Sequence, residues 1–245
     1  MPIDPKDKKS GLLLDLVLKE FREMKYKVVA GLLDAVHYGT PQFRERLVVI
    51  GSRDDEDIFL PIPTHYHQHQ DPDKRWRTLS DCIGKGYANG QCAKFTKRIQ
   101  QFLVKVPEGG NWKTLSAKDQ KEAMGGAFLS GGGKVGFYRR LSFSEPSPTL
   151  VTSPIQKATI LCHPKDTRPL SVYEYARIQG FPETWVIEGN ASECYKQIGN
   201  AVPVPLGEAI GKMLISVAKQ ESKVRVKRLR GTSVHKKLDV FGAAG

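Results

Sequence analysis

The sequence predicts a mixed α/β chain whose character changes along its length, and three observations carry that prediction. Residues 11–24 place apolar side chains at helical spacing. Residues 26–50 hold two strand-like segments. From about residue 54 the periodicity is lost and the chain fills with proline and glycine turns. In order, Leu12, Leu13, Leu16, Val17 and Phe21 line one face of a helix, and Tyr26 to Ala35 reads as a strand or extended segment. After a turn around Gly39-Thr40-Pro41 comes Leu47-Val48-Val49-Ile50, a continuous apolar run of the kind buried on both faces of a sheet. The first 53 residues therefore read helix, strand, turn, strand, which is too little to close a core. Residues 54 to about 167 read as an irregular, strand-poor to mixed module with long loops.

The stretch from Arg168 to Gly211 is denser. Ser171 and Glu174 stand at capping-box spacing, and Gly180-Phe181-Pro182 stops the short helix they start. Gly199-Asn200 opens a turn, the prolines of Val202-Pro203-Val204-Pro205 hold it extended, and a further helix runs from about Leu206 to Val217. A glycine turn with free amides near a helix start can receive an anionic or zwitterionic ligand, though many such turns bind nothing. From Lys219 onward the chain is a basic tail, able to touch phosphates or simply solvated.

A chain of 245 residues with 40% hydrophobic content can build one large domain or two small ones. Its formal net charge of +12 points to a polyanion, nucleic acid first, with binding that weakens in salt. No apolar run approaches the roughly 18 residues of a membrane span, and MPIDPKDKKSG lacks a signal peptide's apolar core. A cytoplasmic protein is expected, with no membrane partner. The four cysteines, Cys82, Cys92, Cys162 and Cys194, are too widely spaced for a zinc site or a disulfide framework, and reduced thiols are expected. His65, His67 and His69 alternate, but neighbouring prolines, glutamines and Asp71 favour a solvated loop, and no metal is expected. Arg44 and Arg46, one residue apart on an extended segment, point the same way. That suits a grip on the phosphates or ring oxygen of an extruded nucleotide; surface ion pairing with Glu45 is the plain alternative.

The block RPLSVYEYARIQGFP followed by GNAVP resembles the last two motifs of DNA (cytosine-5)-methyltransferases, and Gln42-Phe43-Arg44-Glu45-Arg46 resembles their Gln-x-Arg-x-Arg motif. Between them, Thr78-Leu79-Ser80-Asp81-Cys82-Ile83-Gly84 and Pro146-Ser147-Pro148-Thr149-Leu150 are similar to marks of the family's target-recognition region. The resemblance implies the carboxy-terminal part of an S-adenosylmethionine-dependent, Rossmann-like methyltransferase domain plus a smaller irregular mixed target-recognition domain. Residues 1–53 would be strands and helix of the catalytic domain. Residues 54–190 would be the recognition domain, braced by 168–182. Residues 191–218 would return to pack a helix on the catalytic sheet, and 219–245 would be the tail.

The resemblance also implies roles. Arg46, and more loosely Arg44, would hold a flipped cytosine, with Gln42 framing the site. Asn200 and Ala201 would lie beside the methionine end of S-adenosylmethionine. Lys134 on a glycine-rich loop, Arg139, Arg140 and Thr149 are candidate contacts to double-stranded DNA; for the two arginines, surface charge is the plain alternative. Arg168, Glu174, Arg177 and Gln179 would be structural ties.

The family's Phe-x-Gly-x-Gly turn, Pro-Cys-Gln nucleophile loop and Glu-Asn-Val segment are not found in the sequence, and no cysteine follows a proline. Since a thiolate must add to the cytosine ring before methyl transfer, no other residue replaces it cheaply. The expectation is a carboxy-terminal half, inactive alone, sharing its cofactor site with a complementary subunit that carries the missing motifs, as in a restriction–modification system. The alternatives are a non-catalytic DNA-binding or regulatory module, and the remnant of a disrupted methyltransferase gene.

Overall fold

The computed structural model describes residues 10–53, 57–84, 90–130 and 135–218, with side chains from residue 13 onward. Its helices are α1 (Ser10–Glu23), α2 (Lys97–Leu103), α3 (Ala117–Met124), α4 (Val172–Ile178), α5 (Ala191–Asn200) and α6 (Val204–Ala218); its strands are β1 (Lys27–Asp34) and β2 (Glu45–Ser52). The chain divides into two compact units. The first takes the described residues of Met1–Asp34, Glu45–Pro63 and Glu208–Gly245; the second takes those of Ala35–Arg44 and Thr64–Gly207.

In the first unit the amino-terminal periodicity forms α1, as its spacing predicts. The helix ends where Lys25 adopts a φ of 63° and the Tyr26 N–H donates to Phe21 O at 2.9 Å. The rings of Phe21 and Tyr26 pack edge to face over this turn. β1 then pairs antiparallel with β2, Val29 opposite Ile50 and Leu33 opposite Arg46. Alternation puts Val29, Val48 and Ile50 on one face, where they cluster with Phe59, Leu60 and, from α6, Met213 and Val217. This corrects the reading of Leu47–Ile50 as buried on both sides. Ile50 is 6% exposed, but Leu47 on the opposite face is 47% exposed.

The second unit forms, among its described residues, only isolated bridges such as Gln42 with Ser147 and Arg140 with Cys162. Side-chain packing has to hold it. One cluster gathers Leu79, Ile83, Leu150, Leu161, Tyr175 and Ile198. Another gathers Phe102, Leu103, Trp112, Met124, Tyr138 and Ile160. The helices α2 and α3 in this region go beyond the sequence reading. Each starts on a hydroxyl cap: Thr96 Oγ1 accepts from Ile99 N and Ser116 Oγ from Asp119 N.

The 168–211 block folds partly as expected. Ser171 and Glu174 form the capping box of α4, and Gly180 at φ +84° ends it; a Cβ there would lie 2.6 Å from Pro205 Cδ. The turn expected at Gly199-Asn200 is instead the last of α5, whose start is fixed by a second capping box, Asn190 with Glu193. The break falls at Ala201–Pro203, and α6 begins at Val204 rather than Leu206. Together α5 and α6 also correct the reading that nothing approaches a membrane span. Within the 28 residues of Ala191–Ala218 an 18-residue window reaches a mean hydropathy of 1.4, apolar enough to cross a membrane by length and composition alone. The break at Ala201–Pro203 divides it, and Cys194, Tyr195 and Ile198 are buried.

Gly199 faces the chain closely. A Cβ there would stand 2.6 Å from Val151 O and 2.7 Å from Val151 C. Alanine normally strengthens a helix by about 1 kcal/mol over glycine; here backbone would have to move. Gly199→Ala is expected to destabilise the protein by about 1–3 kcal/mol, read from urea unfolding midpoints, and a neutral or stabilised variant would contradict the packing described.

Candidate functional site

The Gln42–Arg44 segment is pinned edge-on to residues 147–150 of the same unit. Phe43 N donates to Ser147 O and Ser147 N to Pro41 O, each at 2.8 Å. Alternation along this extended piece sends Gln42 and Arg44 inward and Phe43 outward, and their exposures are 0%, 3% and 37%. Gln42 Oε1 accepts from Leu150 N at 2.8 Å, and its Nε2 donates to Gln179 Oε1 at 2.8 Å. Gln179 Nε2 in turn donates to Ile198 O at 2.7 Å and Ala201 O at 3.2 Å. Arg44 Nη1 donates to Leu150 O at 2.9 Å and Nη2 to Gly199 O at 2.7 Å.

These contacts turn Arg44 inward, against the expectation that it holds a nucleotide, and tie Gln42, expected to frame the site, to Leu150 and Gln179. The final carbonyls of a helix have no intrahelical donor, and a buried carbonyl left bare costs about 1–3 kcal/mol. Those at the end of α5 claim the donors of Arg44 and Gln179. Arg46 differs. It lies half-buried on β2, and its Nη1 donates at 2.7 Å to the neighbouring Glu45 O.

Asn200 is exposed and Ala201 half-buried at the α5–α6 break. An exposed carboxamide beside a small side chain fits one edge of a site for the amino-acid end of S-adenosylmethionine.

Of the expected DNA contacts, Lys134 lies outside the described residues. Thr149 is exposed, with its Oγ1 donating to Phe43 O at 2.7 Å. Arg139 is half-buried, its Nε donating to Val135 O at 3.2 Å. Arg140 is a correction. It is 5% exposed, and its guanidinium donates to the carbonyls of Leu103, Val106, His163, Lys165 and Asp166 and to Thr167 Oγ1. With those donors spent on loops that lack a ladder, Arg140 braces the unit and reaches no phosphate.

The bracing residues behave as ties. Arg168 grips Glu174 through two bonds of 2.8 Å, and Glu174 Oε2 also accepts from Ser171 N at 2.7 Å. His163, which the sequence reading passed over, sits beside them at 6% exposure. Its Nδ1 accepts from Lys165 N at 3.3 Å and Asp166 N at 3.0 Å. Nothing in the local sequence marks it, because those partners come from a turn that only the fold creates.

The cysteines are chemically quiet. Burial pushes the Cys82 thiol up to about 12 and Cys162 to about 11, and raises Cys92 and Cys194 as well. Each thiol donates to backbone carbonyls, for example Cys92 to Pro169 O at 3.4 Å. The alternating histidines diverge: His65 Nδ1 meets Thr64 Oγ1, His67 packs edge-on against Trp76, and His69 Nδ1 accepts from Asp71 N. Among the described residues no three His, Cys, Asp or Glu side chains gather as metal ligands.

The fold is that of a methyltransferase. It is similar to the solved structure of the Entamoeba histolytica methyltransferase EhMeth, with a TM-score of 0.52 at 13% identity, over 87% of this chain and 59% of that one. By sequence, the chain is 46% identical over 191 residues to the Type II methyltransferase M.Eco47II of Escherichia coli, covering 75% of this chain and 44% of the relative. It is 40% identical over 216 residues to the Type II methyltransferase M.PspPI of Psychrobacter sp. (strain TA137), covering 84% and 50%. A family model for C-5 cytosine-specific DNA methylase matches residues 6–216. The chain belongs to that family, and it spans about half the length of the curated relatives it matches.

Two outcomes follow from the buried polar groups. Burial lowers His163 below its ordinary value, outweighing the opposing pull of Glu174. The unfolded chain then binds the proton more readily, so this contribution is complete above the unfolded value of about 6.5 and is lost as pH falls through the lowered folded value. His163→Gln should flatten the drop in urea midpoint between pH 7 and pH 5; an unchanged drop would assign it elsewhere. Arg140→Ala should cost about 3 kcal/mol or more, since several buried carbonyls lose their donor at about 1–3 kcal/mol each. A loss below 1 kcal/mol in the same unfolding measurement would return Arg140 to the surface.

Proposed function

We propose that this chain provides the target-recognition part, and part of the flipped-cytosine and S-adenosylmethionine sites, of a cytoplasmic DNA (cytosine-5)-methyltransferase. In this reading a complementary polypeptide brings the Pro-Cys-Gln nucleophile and the remainder of the catalytic domain. The observation that carries it is the state of the cysteines. The chemistry needs a thiolate that adds to carbon 6 of the ring, and all four thiols here are held in the protonated form by burial and bonded to carbonyls. Reactive cysteines sit instead in electropositive, partly open surroundings that lower their pKa.

The first unit supports the second polypeptide. Leu13, Leu16, Leu47, Leu214 and Ile215 are 45–70% exposed, and among the described residues its sheet has two strands. A two-stranded ribbon is marginal alone, and bare edges invite further strands. The complementary chain would supply those strands and cover the leucines.

Within the complex, this chain's groups would bind and orient. Arg46, with its guanidinium tied among the described residues to a neighbouring carbonyl, would hold the extruded base or its phosphate. Extrusion costs a few kcal/mol and is offset by contacts to the duplex and the flipped nucleotide. S-adenosylmethionine, bound between Asn200–Ala201 and the partner, supplies the methyl group.

The test is to purify the full chain alone and with a polypeptide carrying the Phe-x-Gly-x-Gly, Pro-Cys-Gln and Glu-Asn-Val motifs, and to measure methyl transfer to DNA. Transfer is expected only from the mixture, and Arg46→Ala should lower it about a hundredfold, the scale of one preorganised charged donor. Transfer by the chain alone would overturn the half-enzyme reading. An inactive mixture whose chain still binds duplex DNA would favour a recognition or regulatory module.

A further inference from the structure

We infer that Gln42, Arg44 and Gln179 are positioning residues for the turn that carries Asn200 and Ala201. They form a hydrogen-bond relay with a single allowed direction. At one end stands Leu150 N–H, which can only donate, so it fixes Gln42 with Oε1 towards Leu150 and Nε2 towards Gln179. Gln179 must then receive on Oε1 and donate from Nε2. At the other end stand the carbonyls of Ile198 and Ala201, which can only accept. Neither glutamine can turn over without setting two like groups against each other, and both are fully buried.

Arg44 closes the same turn from a second side by donating to Gly199 O, 155 residues away in sequence. The end of α5 has no glycine cap: Ala201 is extended, with φ −65° and ψ 152°. Side chains from two distant segments therefore reinforce the one local bond there, Ala201 N to Ile198 O at 3.1 Å. Asn200 lies between the tied carbonyls of Gly199 and Ala201, so its backbone is held on both sides while its side chain is exposed.

This deepens the proposed function and rests on it. Of Gln42, Arg44 and Arg46 in the Gln-x-Arg-x-Arg stretch, the first two set the edge offered to the methyl donor, and Arg46 is left to meet the target nucleotide. A wall built by positioning residues is felt as donor binding and not as base capture or turnover.

Two conservative variants of the full chain test this. Arg44→Lys keeps the charge but cannot span Leu150 O and Gly199 O together. Gln42→Glu keeps the acceptor for Leu150 N but removes the donor that orients Gln179. In the isolated chain, amide hydrogen exchange at Ala201 should quicken about tenfold in both, the scale of one lost hydrogen bond, while amides of α2 and α3 keep their protection. In the reconstituted enzyme the KM for S-adenosylmethionine should rise about tenfold, with kcat and the KM for DNA within twofold of wild type. Unchanged Ala201 exchange in both variants overturns the positioning role. So does a raised KM for DNA with an unchanged donor KM. If one variant loses protection throughout α2 and α3, the other decides. An inactive wild-type mixture would count against the half-enzyme reading, whereas the exchange result judges the relay separately.

Discussion

The carbonyls at the end of α5 have to be paired away from water, and that requirement organises the second unit. Each hydrogen bond there is worth only about 1 kcal/mol net, but leaving a partner bare costs more than making the bond gains. The relay from Leu150 through Gln42 and Gln179, with Arg44 beside it, answers this by drawing residues 42–44, 147–150, 179 and 198–201 together. Gly199 is part of the same constraint, since the approach that lets Arg44 reach its carbonyl also brings Val151 against its Cα. The capping box of α4 and its positive-φ glycine stop that helix so that Gln179 falls at its carboxyl end.

The same device recurs at Arg140, which serves loops that have no ladder to satisfy them. Arg168 repeats it with a carboxylate, and its bond to Glu174 keeps the guanidinium charged. Planar guanidinium groups with five donors suit this task better than lysine would. The chain's charge of +12 therefore overstates what faces a polyanion, because Arg44 and Arg140 are spent on backbone carbonyls and Arg168 on Glu174.

Features set by short-range chemistry were legible in the sequence. The periodicity of α1, the two strands, and the Ser171–Glu174 box with its terminating glycine follow from side chains within a few residues of one another. The α5 helix starts on an equally local box, Asn190 with Glu193, which the sequence reading did not use; it took Gly199-Asn200 as a turn. That glycine is selected by Val151, 48 positions earlier in the numbering, and no local rule could say so. The direction of Arg44 and Arg140 was illegible for the same reason. An arginine on an extended segment reads as a surface cation until the carbonyls it must satisfy are folded around it.

That lesson bears on the chemistry. A motif names residue types, and the fold decides which of them remain for a ligand. In Gln42-Phe43-Arg44-Glu45-Arg46 the inward pair is consumed by the end of α5, while Arg46 spends one nitrogen on the carbonyl next to it. The cysteines show the same division, with sulfur present at four positions and a usable thiolate favoured at none. The proposed reading of the chain as half of a catalyst follows from this pairing. In that proposed reading the chain supplies the scaffold that would shape a target-base and donor site, and the nucleophile would come from the complementary polypeptide.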